Sequence, residues 1–220
     1  MTFTLVLLAI IMATVLGWLL RQTINTAPWE SRAADDAVSG TAFDNRTRSL
    51  ALAAFLAVVT SLFALFISAY FMRRHMHDWN ALPEPDILWV NTALLVLASL
   101  VYHRSRAAAT RGEAGRLKIG LGFAGLLTFL FLAGQLLAWQ QLHAAGYYVS
   151  SNPANAFFYL LTAVHGLHLL GGLWVWARSA IRVMTGAEAD AVRTSVELCA
   201  VYWHYLLLVW IVLFALLLYT

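Results

Sequence analysis

The sequence predicts an all-α integral membrane bundle of about six transmembrane helices, on three observations. Of 220 residues, 61% are hydrophobic and 11% charged, against roughly 25% charged in ordinary soluble domains. The apolar residues gather into six runs, at 4–20, 50–72, 87–102, 119–140, 156–177 and 196–219. An apolar helix of about 20 residues rises about 30 Å, the hydrocarbon thickness of a membrane, and the runs reach or approach that length. Finally, the basic residues alternate between loops. Arg21, Arg32, Arg46 and Arg48, then Arg104, Arg106, Arg111, Arg116 and Lys118, then Arg178, Arg182 and Arg193 fall in the first, third and fifth connections. Only Arg73 and Arg74 fall on the other side. Cytoplasmic loops carry the excess of Lys and Arg, so both termini are expected outside. A formal net charge of +3 spread in this way marks topology and argues against a nucleic-acid partner.

Run one lacks a basic leader and a clean small-residue cleavage signal, so it reads as a retained anchor. The polar stretch 21–49, with mixed charges, Pro28 and Gly40, reads as a surface linker. The expected organisation is therefore an N-terminal helix with its linker, 1–48, followed by a membrane domain, 49–220. Run two carries Thr60 and Ser61. Run three follows Pro83 and Pro85, which suit the loop before a helix, and holds Asn91, Thr92 and Ser99. In run four, Gln135 and Trp139 are four apart and share a face, as a buried amide beside an interfacial ring. The outer loop 141–155 has no Lys, Arg, Asp or Glu.

Run five holds the most unusual residues. His165 and His168, three apart, lie on one helix face, with Gly166 between them and Gly171 and Gly172 after them. Small residues let helices in lipid approach closely, while polar ones at depth bond across helices or mark function. Run six carries Glu197 at its start, then Tyr202, Trp203, His204 and Tyr205 in succession, then Trp210. A lone Cys199 excludes an internal disulfide and a cysteine-built metal site.

A proton path made by this chain alone is poorly supported, because such paths string several carboxylates along a membrane and Glu197 sits at a helix end. A haem or metal site is a sharper alternative, since His165, His168 and His204 converge if runs five and six pack side by side. Bundle metal sites usually add carboxylates, and none lies at mid-depth. Interhelical bonding and packing fit these histidines better, with a haem-binding electron carrier left as an alternative.

Phe157, Phe158, Leu161, Thr162, His165, Gly166, Leu167, His168, Gly171 and Gly172 together resemble the penultimate-helix signature of subunit III of the haem-copper terminal oxidases, which reduce oxygen using cytochrome c or quinol. Tyr202, Trp203, His204 and Tyr205 with Val209 and Trp210 are similar to its last-helix signature, with Glu197 ahead of them. Leu88 to Thr92 after the two prolines, and Gln135 with Trp139 and Gly146, match two further landmarks in order. The resemblance covers about 50–220. It implies a five-helix core, here with one added N-terminal helix. It further implies a non-catalytic subunit that packs on the catalytic subunit I beside subunit II and binds phospholipid. No cofactor of its own is implied, haem and copper belonging to the partner subunits. The expected setting is the bacterial inner membrane. Thr60, Leu207 and Ala138 stand near positions where family members carry carboxylates, so roles proposed for those acids are not transferred. A subunit-III-like accessory protein of nitric oxide reductase is the alternative within the family.

Overall fold

The computed structural model describes residues 39–80, 82–83, 85–186 and 189–219. Run one lies outside the described residues. Among the described residues there are five helices: α1 Ser39–Arg73, α2 Ile87–Thr110, α3 Ala114–Ala144, α4 Pro153–Met184 and α5 Ala189–Leu218. No strand occurs among the described residues. All five helices are long and apolar enough to cross a membrane. The fold class is all-α, as the sequence predicts.

Each helix outruns its apolar run. α1 begins at Ser39, inside the stretch expected to be a linker, and α2 continues to Thr110. Hydropathy marks where lipid begins and ends, whereas a helix goes on wherever no residue breaks its ladder of backbone bonds. Chain chemistry sets the true ends. Asn152 caps α4 by accepting from the Ala154 N–H at 3.1 Å, with Pro153 in the first turn, where its missing N–H costs nothing. The same side chain bonds the backbone of Asn80, so one residue both starts α4 and pins the segment ahead of α2. α2 and α3 both stop at a glycine with positive φ, Gly112 at 69° and Gly146 at 86°. There Glu113 N–H reaches Ala108 O at 3.0 Å and Tyr147 N–H reaches Leu142 O at 2.9 Å, the Schellman closure that a left-handed residue permits.

The chain divides into two compact units, Met1–His75 and Met76–Thr220. In the first, α1 places Ala53, Leu56, Thr60, Phe63, Ile67 and Tyr70 along one stripe at helical spacing. The second is a four-helix ring in which α2 touches α3, α3 touches α4, α4 touches α5, and α5 returns to α2. Short loops make chain neighbours antiparallel. The α2–α5 contacts agree: Trp89 meets Phe214, Thr92 meets Trp210 and Tyr102 meets Trp203.

The outside of the ring is as apolar as its inside. Ile119, Phe123, Leu126 and Phe129 are exposed on α3, while Leu117, Leu121, Thr128, Phe131 and Gln135 are buried. Lipid is as apolar as leucine, so burial of Leu gives little drive for helix association. Shape and interhelical hydrogen bonds supply it instead.

Candidate functional site

The centre of the ring is a column of aromatic rings tied to threonine hydroxyls. Trp210 Nε1–H donates to Thr92 Oγ1 at 3.0 Å, joining α5 to α2. Trp203 donates to Thr128 at 3.0 Å, joining α5 to α3. Trp139 donates to Thr162 at 3.1 Å, joining α3 to α4. Each threonine uses its own proton on the carbonyl four residues back, at Leu88, Ala124 and Phe158, over 2.8, 2.8 and 2.7 Å. A hydroxyl has one proton and two lone pairs. Spending the proton on its own helix leaves the oxygen an acceptor, the partner an indole N–H requires. Tyr202 adds an O–H donated to His168 O at 2.9 Å, and Trp176 an N–H donated to Leu121 O at 3.0 Å.

Where α2 meets α3, an amide pair takes over. Asn91 Nδ2 donates to Gln135 Oε1 at 2.9 Å with both residues buried. The other amide atoms, Asn91 Oδ1 and Gln135 Nε2, have no partner among the described residues. Asn91 sits against Gly134, where an added Cβ would overlap its amide. Replacing Asn91 alone by Leu strands a buried amide and costs about 1–3 kcal/mol, whereas removing both partners of a buried bond is nearly neutral. Asn91→Leu is therefore expected to lower the unfolding temperature in detergent, and Asn91→Leu with Gln135→Leu to recover part of the loss. Additive losses in a double-mutant cycle would contradict the pairing.

The histidines do not gather. His165 is fully buried, with its ring 5.2 Å from Trp210 at 36° and 5.9 Å from Phe131 at 76°. Neither of its ring nitrogens has a partner among the described residues, so it is held by ring packing. His168 Nδ1 bonds its own helix at Val164 O, 2.7 Å away. His204 is exposed and engages Ser99 and the ring of His103. Among the described residues no group of three His, Cys, Asp or Glu side chains is placed to hold a metal ion.

The two glycines singled out on α4 part ways. A Cβ at Gly172 would lie 2.6 Å from Tyr202 and 3.0 Å from Trp203, while no described residue comes within 4 Å of a Cβ at Gly171. Of these two, Gly172 alone approaches a described residue closely. Glu197 forms a surface ion pair with Arg193 at 3.1 Å, one turn apart on α5, and takes no part in the column. Sequence reasoning passed over Thr128, Trp176 and the glycines of α3. Cβ atoms at Gly120, Gly125 and Gly134 would collide with Ser105, Trp176 and Asn91 respectively. The signal was present, since small residues inside a spanning run mark helix contacts. Tyr102 was also missed; it is buried against Trp203, ring centroids 4.3 Å apart.

Residues 76–220 match the family model for cytochrome c oxidase subunit III. A probable cytochrome c oxidase subunit 3 of Nocardia farcinica is 32% identical over 158 residues, covering 70% of this chain and 78% of its own length. The cytochrome c oxidase subunit 3 of Synechocystis is 30% identical over 175 residues, covering 77% and 74%. A cytochrome bo(3) ubiquinol oxidase subunit 3 of Pseudomonas aeruginosa is 29% identical over 132 residues, covering 60% and 63%. The matched region takes in all four helices of the ring and every tie in its column, and on that ground the chain belongs to the cytochrome c oxidase subunit III family.

Proposed function

We propose that this chain is the non-catalytic, membrane-embedded subunit III of a haem-copper respiratory oxidase, which reduces oxygen to water and translocates protons. The family match over residues 76–220 carries the reading. Supporting it, the indoles and threonines of the ring, and its Asn91–Gln135 pair, bond to one another across helices, an arrangement suited to holding a shape. The chain stabilises subunit I, beside subunit II, and both haem and copper reside in those partners. Phospholipid lies along its surface. The membrane is the bacterial inner membrane and both termini lie outside, as the basic loops suggest.

Purification of the tagged chain in mild detergent tests this. The expected result is a larger haem-bearing partner and a Soret band in the complex, with the separated chain colourless. A haem retained by the separated polypeptide and lost on His204→Ala would overturn it in favour of an electron carrier.

A further inference from the structure

Three side chains at the centre of the ring keep polar atoms that no described residue meets: Asn91 with its Oδ1, Gln135 with its Nε2 and His165 with both ring nitrogens. They are 0%, 4% and 0% exposed. They also belong to one layer of the ring. On α3, Phe131 lies one turn before Gln135 and Trp139 one turn after it, so the three share a stripe. Phe131 meets the ring of His165 edge-on, and Trp139 bonds Thr162, three residues before His165 on α4. Gln135 is therefore level with the turn of α4 that ends at His165. Asn91 joins this level through its bond to Gln135. Its neighbour Thr92 accepts from Trp210, the same indole that packs on the His165 ring.

We propose that this layer is a binding site for ordered water, which links His165 on α4 to the Asn91–Gln135 pair on α2 and α3. Buried polar atoms in folded proteins are bonded to protein or to ordered water, and here the protein supplies no partner. Since a buried water makes about three hydrogen bonds, the unmet atoms call for about one or two molecules. Such water gives α4 a polar tie to the amide pair, where ring packing alone gives His165 none.

The hydrogen-bonding character of the layer selects water over an ion. No Asp, Glu, Lys or Arg is buried among the described residues, so an imidazolium here would lack a counter-charge and the ring is neutral. A neutral imidazole has one N–H and one lone-pair nitrogen in either tautomer. An amide pair joined by one bond leaves one amino group and one carbonyl oxygen, and turning both amides over only exchanges which residue holds which. The layer thus presents donors and acceptors in equal number under every assignment. An anion would satisfy the donors alone and a metal cation the acceptors alone, whereas water both gives and accepts. The same balance accounts for an imidazole among the rings of Phe131 and Trp210, where a phenyl ring would pack as well but bind nothing.

Water-edited NMR on the full chain in lipid tests this, with the side-chain nitrogens of histidine and glutamine labelled. Of the seven histidines only His165 is buried, which sets its ring apart as the one shielded from a paramagnetic ion in the buffer. Magnetisation is expected to pass from water to the His165 ring and to the Gln135 amide although both are shielded. Asn91→Leu with Gln135→Leu is expected to abolish the transfer to His165 while its ring stays shielded. A shielded His165 that receives nothing from water in the parent chain would overturn the site, as would transfer to His165 that survives the double variant. Transfer reaching only one of His165 and Gln135 would overturn the link between them, and that reading needs no variant. The measurement is made on the chain itself, so its outcome is independent of the subunit assignment.

Discussion

Trp210→Ala is expected to be the most damaging single substitution in the ring, lowering stability by about 3–5 kcal/mol, the usual range for deleting a buried aromatic. The indole is fully buried and meets three ring systems. Phe131 stands edge-on at 4.9 Å, His165 lies tilted at 5.2 Å, and Phe214 is stacked at 6.4 Å. Its N–H also ties α5 to α2 through Thr92. Alanine removes all of this at the junction of four helices and leaves His165 beside a void. Trp210→Phe separates the two contributions. It keeps most of the ring contact and loses only the bond, and because Thr92 still donates to Leu88 O, about 0.5–1.5 kcal/mol is the expected cost. Thermal unfolding of the chain in mild detergent checks both, and equal losses for Ala and Phe would show that ring packing is not what Trp210 contributes.

Gly172→Leu is the second large effect, and Gly171→Leu is its control. Adjacent on α4, the two residues differ in what surrounds them. A side chain at Gly172 runs into Tyr202 and Trp203. Trp203 has no freedom to retreat, since it is fully buried, bonded to Thr128 and packed on Tyr102. Overpacking of this kind costs about 1–3 kcal/mol or more, and a leucine overlaps by far more than a methyl. Loss of the folded chain from the membrane fraction is the expected outcome. Gly171→Leu, with no described residue within 4 Å of the added Cβ, is expected to fold normally. If the Gly171 variant folds but fails to join the oxidase, that position lies against a partner; if Gly172→Leu is as stable as the parent chain, the packing described for α4 and α5 is wrong.

Much of the architecture was legible because a membrane imposes a length and a charge pattern that composition alone displays. The helix ends were less so. Hydropathy marked 87–102 in run three, yet α2 continues to Thr110, because Ser105, Ala107, Ala108 and Ala109 support a helix without being lipid-soluble enough to extend the run. Nor did periodic apolarity reveal which faces point inward: Leu121 and Leu126 read alike in sequence, and only one is buried. What did identify the interior were the exceptions, and Asn91, Gln135, His165, Gly172, Trp203 and Trp210 all lie inside. His204 was legible as unusual but its facing was not, for its neighbours Trp203 and Leu206 are buried while it is exposed. Spacing alone does not say which of four consecutive rings faces outward.

The indole-to-hydroxyl ties also bear on how such a protein is made. Helices handed to the membrane one after another are free to slide along each other, since oily surfaces slip past oily surfaces with little preference. A hydroxyl that has already given its proton to its own backbone will take an indole at one height only, so each tie acts as a catch that engages when the sliding helices come level. Axial alignment is then decided late, after insertion, by three small catches instead of by the order in which the spans were delivered.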